Sequence, residues 1–152
     1  MDETLEPLAW LIGTWRGTAE GHPGRGTQER RYEGVLRGQF LMGTNRTTWL
    51  PSDQQQQGEV HEDISLISFD RAAGRFVMHV FYVERFVAEY LCGPQATPDA
   101  WVFTADRVQN GPSGMRSRET LVRRGEILES RFELAMAGKE FSLYTRETLA
   151  RV

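Results

Sequence analysis

Arg118, Tyr144 and Arg146 are the side chains of this sequence best suited to holding a charged ligand. A carboxylate removed from water must be paired and hydrogen-bonded, and two guanidinium groups beside a phenol supply both. In an extended chain Arg116, Arg118 and Thr120 share one face, with Ser117, Glu119 and Leu121 on the other. Further on, Ser142, Tyr144, Arg146 and Thr148 share a face opposite Phe141, Leu143, Thr145 and Leu149. The anchor forms if the arginine faces turn inward. Strict hydrophobic alternation would instead bury the Phe141/Leu143 face and leave the arginines in water. Both orientations stay open at this level.

His79 breaks an otherwise apolar run, and Tyr90 lies in the next one. His79 reads either as a proton-exchanging group aimed into a cavity or as a hydrogen-bonded core histidine. His61 and Asp63 share one face of a strand, with no further ligands at metal-site spacing, so no metal site is assigned. Cys92 reads as a core thiol. The chain has no nucleophile elbow, no phosphate-binding glycine loop, no Cys-x-x-Cys and no His-Glu-x-x-His, and no catalytic residue is assigned.

The elements that must position these groups are almost all strands. Runs rich in β-branched and aromatic residues span 13–20, 27–36, 39–50, 59–69, 74–83, 85–93, 100–107, 115–123, 126–135 and 139–149. Gly, Pro, Asp and Asn clusters separate them, from His22-Pro23-Gly24-Arg25-Gly26 to the tight Arg124-Gly125 and Ala137-Gly138. Helical spacing appears once, over residues 4–11, as a short helix or turn able to plug one end of a barrel. With no long helix after Gly13, nothing can serve as a parallel crossover. The expectation is an all-β fold: one domain over 1–152, a roughly ten-stranded antiparallel up-and-down β-barrel with a short N-terminal helix.

Composition narrows the partners. The net charge is −3 and the basic residues are scattered, so nucleic acid is not expected. A lone cysteine permits no intrachain disulfide, and the acidic start lacks an apolar signal region. No apolar run approaches the ~20 residues of a membrane-spanning helix. These features predict a cytoplasmic protein with neither nucleic-acid nor membrane partners.

Gly13-Thr14-Trp15 resembles the G-x-W of calycins, the superfamily of lipocalins, fatty-acid-binding proteins and avidins. That resemblance implies Gly13 and Trp15 at the barrel's closed base, with Arg146 or Arg151 lying across the indole. More narrowly, Leu8-x-x-Leu11-Ile12-Gly13-Thr14-Trp15-Arg16-Gly17-x-x-x-Gly21-x-Pro23 is similar to the start of the nitrobindin family of haem barrels. Leu134-Ala135-Met136-Ala137-Gly138 and Leu149-Ala150-Arg151 resemble its ending. The middle of the chain looks more like a group of uncharacterised bacterial barrels. The family carries an axial histidine on its last strand, whereas this sequence has none after His79. Tyr144 stands near the corresponding place, and tyrosine can ligate ferric haem.

Three readings follow. The first is a barrel holding a small hydrophobic or amphipathic, fatty-acid-like ligand, with His79, Tyr90, Arg118, Tyr144 and Arg146 as polar contacts. The second, implied by the resemblance, is a haem barrel acting on reactive nitrogen species, with Tyr144 on the iron. The third is a packed barrel whose strands 76–92, apolar on both faces, form a homodimer contact.

Overall fold

Period-two alternation organises the chain from Gly13 onward, and the structure, a computed structural model describing residues 1–152, turns it into one continuous antiparallel sheet. The strands are β1 (Gly13–Gly21), β2 (Gly24–Val35), β3 (Phe40–Trp49), β4 (Glu59–Asp70), β5 (Arg75–Tyr82) and β6 (Val87–Cys92). They continue with β7 (Ala100–Ala105), β8 (Val108–Gln109), β9 (Arg116–Arg124), β10 (Ile127–Ala135) and β11 (Ser142–Arg151). Ten of them close a ring: β1 pairs with β11, β5 with β6, and β7 with β9. The two-residue β8 adds to β6. Closure leaves no long unpaired edge to protect.

The largest boundary differences from the sequence reading, at β2 and β11, have clear reasons. The β1–β2 turn needs only His22 and Pro23, so β2 starts at Gly24 rather than at 27. The last strand starts at Ser142 and runs on to Arg151, because β1 supplies it with partners as far as Trp15.

The N-terminal segment is a 3-10 helix, Glu3–Leu11, capped by the Asp2 carboxylate accepting from the Thr4 amide at 2.9 Å. A 3-10 helix has three residues per turn, so Leu5, Leu8 and Leu11 form a single eclipsed stripe. All three are fully buried. They close one end of the barrel against Trp15, Leu41, Ile67, Phe103, Leu121, Leu128 and Leu149.

Arg151, not Arg146, lies over Trp15, 4.2 Å from its ring centroid. Its two terminal nitrogens donate to the carbonyls of Ile12 and Trp10, and Trp15 Nε1 donates to Leu11 O at 2.7 Å. Gly13 makes room for that clasp. Its φ is +128°, and a Cβ there would stand 2.7 Å from Arg151 Nη1.

At the other end lie the β1–β2 turn, the 50–58 loop, the β5–β6 turn and the 110–115 and 136–141 segments. No helix is long and apolar enough to cross a membrane. On the outer face Val60, Ile64, Phe81 and Val83 remain exposed.

Candidate functional site

Above the leucine floor the barrel's inner faces turn polar. On β2, Gln28, Arg30 and Tyr32 alternate inward with exposed Thr27, Glu29 and Arg31. Arg30 is 6% exposed and spans the lumen. It donates to Glu119 at 2.8 Å, to Glu147 at 2.5 Å, to Ser130 at 3.0 Å and to the Tyr32 hydroxyl at 3.1 Å. Burial lowers the guanidinium pKa, but Glu147, Tyr32 and Glu119 outweigh it and raise it well above its ordinary value. Glu147 is pushed above the usual carboxylate range by its burial, with Arg30 pulling the other way and Glu119 adding to the rise. Arg30 Nε is buried without a partner.

Beside this cluster a second network climbs toward the open end. Asn45 Nδ2 donates to Asp63 at 2.9 Å, and the His61 ring faces Asp63 at 3.3 Å and Glu84 at 2.6 Å. Burial lowers the His61 pKa, but its bonds to Asp63 and Glu84 dominate and raise it to about 9. Next to it, Tyr82 faces the His61 ring from the adjacent strand; Tyr82 and Tyr90 share a 2.6 Å bond, and Ser117 donates to Tyr90 at 2.8 Å.

These groups line a cavity of about 360 Å³ that opens at the end away from the helix. Trp49, Tyr82, Phe86, Tyr90, Phe132 and Tyr144 supply aromatic walls, and Met115, Val108 and Leu134 add aliphatic surface. Five carboxyls reach it, those of Glu59, Asp63, Glu84, Glu119 and Glu147, against two cationic side chains, Arg30 and His61.

The structure separates the residues expected to act together. Tyr90 and Tyr144 line the cavity. His79 is on the outer face, paired with Glu89 at 3.0 Å in water. Arg118 is also outside, bidentate to Glu133 at 3.1 and 2.9 Å and stacked on Phe141. Arg146 pairs with Glu129 at 3.0 Å on the same outer surface. The carboxylate anchor is therefore not assembled: parity puts Ser117, Glu119 and Leu121 inside, together with Thr145, Glu147 and Leu149.

Tyr144 escapes that parity through a β-bulge. Phe132 pairs with Thr145 and Glu133 with Leu143, so Tyr144 is the unpaired extra residue, swung inward beside Thr145. Its ring stacks on His22, with centroids 5.2 Å apart and planes 13° from parallel. Burial, with Glu59 and Glu84 nearby, raises its phenol pKa. Cys92 is buried and its thiol is pushed up to about 11 by desolvation, an inert setting. No group of three or more His, Cys, Asp or Glu side chains is arranged to hold a metal ion.

A ten-stranded antiparallel barrel, closed at one end by a helix and a G-x-W tryptophan under an arginine, with a cavity at the other, defines a calycin-type barrel. The chain belongs to the family described as "THAP4-like, heme-binding beta-barrel domain", whose model matches residues 4–151. Its fold is similar to the crystal structure of Rv2717c from M. tuberculosis, with a TM-score of 0.76 and 16% identity over 100% of this chain and 99% of that one. No curated protein matches the sequence.

The residues present do not fit a histidine-ligated haem. The His61 ring is occupied by two carboxylates and cationic, His79 is outside, and His22 lies on the rim turn, stacked on Tyr144 and not part of the cavity lining. Tyr144 is the remaining donor of the expected kind, and its raised pKa opposes the phenolate form that binds ferric iron. Glu59 and Glu84 at the rim would also repel propionate groups.

Proposed function

We propose that this protein binds a small amphipathic organic molecule, entering through the open end of the barrel. The cavity itself carries the reading: about 360 Å³ of space, walled by aromatic rings above a hydrogen-bonded polar floor. Small-molecule sites have this make-up, apolar surface for affinity and a few fixed polar groups for orientation. Trp49 on the wall offers a direct reporter. Titrating the neutral fluorophore N-phenyl-1-naphthylamine should raise its emission and quench tryptophan. A Phe132→Glu variant, which puts a charge on the wall, should abolish both changes while the far-UV spectrum holds. No fluorescence change with the unsubstituted protein would reject the reading.

Haem is the second reading, and family membership is the observation that favours it. The test is the absorption spectrum of protein isolated from its own host and of protein mixed with hemin. A Soret band lost in Tyr144→Phe would establish haem held through that residue. Absence of the band in both samples would exclude it.

A further inference from the structure

The charges inside the barrel go beyond the statement that it holds a ligand, and the inference rests on that reading. Both cations of the cavity face carboxylates, and Arg30 keeps one unpaired donor, its buried Nε. Arg30 is held between Glu119 and Glu147, and His61 between Asp63 and Glu84. Glu59, at the rim, is paired with neither of them. The lumen therefore presents a surplus of negative charge, confined by low-dielectric walls that concentrate its field.

Trp49, Phe86 and Phe132 add the other half of a cation site, because the faces of aromatic rings are negative. The charge pattern is the reverse of a fatty-acid site, where an arginine must stay free for the carboxylate. Here Arg118 and Arg146 are spent on the outer surface.

We propose that the ligand is an organic monocation, a protonated or quaternary amine on an apolar body. Its charge is drawn to the rim near Glu59 and Glu84, and its body lies against the aromatic walls. Electrostatic attraction at the mouth selects the charge, and the rings and aliphatic wall hold the body.

The test uses three probes with one body: 2-naphthylmethylamine, 2-naphthylmethanol and 2-naphthylacetate, titrated at neutral pH by calorimetry. The amine should bind roughly tenfold or more tighter than the alcohol, the gain expected for a desolvated cation over aromatic faces. The acetate should bind most weakly. Added salt should erode the amine's advantage, since the rim charges are reached by solvent. Glu59→Gln should bring the amine toward the alcohol. Equal binding of amine and alcohol, or tighter binding of the acetate, would overturn the charge assignment while leaving the cavity as a ligand site. Failure of all three probes would instead remove the ligand reading and this inference with it.

Discussion

Arg30 is the residue on which the inner face depends. Two carboxyls, the buried Glu147 and the partly buried Glu119, share its guanidinium, and neither has another cation within reach. Replacing it with methionine would strand both charges in the lumen, and breaking such a pair from one side costs about 3–5 kcal/mol. Urea denaturation should show that loss for Arg30→Met, and much of it should return when Glu119→Gln and Glu147→Gln are added. A second residue prediction concerns pH. His61 is cationic in the fold to about pH 9, against an unfolded value near 6.5. A raised folded pKa means that the stabilisation from Asp63 and Glu84 is complete below about 6.5 and fades as pH rises through about 9. The urea midpoint should therefore fall across that window, and His61→Gln should flatten the slope. Identical slopes in the two proteins would refute the assignment.

At the scale of elements, the closed end was easy to read and the lumen was not. The spacing of Leu5, Leu8, Ala9 and Ile12 announces a short helix, and Gly13-Thr14-Trp15 announces the base. With Ile12 exposed, the stripe that helix buries is Leu5, Leu8 and Leu11. Their spacing of three fits a 3-10 helix better than an α-helix, and Pro7 inside the segment weakens the α pattern further. The polar layer hides because hydrophobic alternation has nothing to follow on β2, where Gln28 and Arg30 face inward and equally polar Glu29 and Arg31 face out. A signal did exist on β9. Its face of Ser117, Glu119 and Leu121 sets one carboxylate between a small hydroxyl and an aliphatic side chain, and a carboxylate turned inward demands a cation. The inward turn of Tyr144 had no such signal, since a bulge depends on the register of two strands. The helix-to-barrel clasp gives this scale its prediction. Arg151→Ala removes the cation over Trp15 and two bonds to helix carbonyls, and should cost about 1–3 kcal/mol by thermal or urea unfolding. Arg151→Lys should recover only part of it, because an ammonium cannot fork to both carbonyls while stacking on the indole.

The whole molecule is polarised along the barrel axis, with apolar packing at the closed end, a charged belt across the middle and a cavity at the open end. Local opening follows the density of buried contacts, so stability should be graded along the same axis. Backbone amides beside Trp15, Leu41, Phe103 and Leu149 are backed by fully buried side chains. Those of the β5–β6 turn are backed mainly by rim contacts such as Asn110 donating to Arg85 O at 2.8 Å. Hydrogen exchange followed by mass spectrometry should find the floor slow and the rim fast in the free protein. A molecule seated in the cavity touches Glu84 and Phe86 on that turn and Tyr144 across from it, so it should slow exchange at the rim. Binding to the outer face near Phe81 would protect a different set of strands and leave the rim as fast as before. The gradient thus separates a container that closes over its contents from a barrel that merely presents its outer wall.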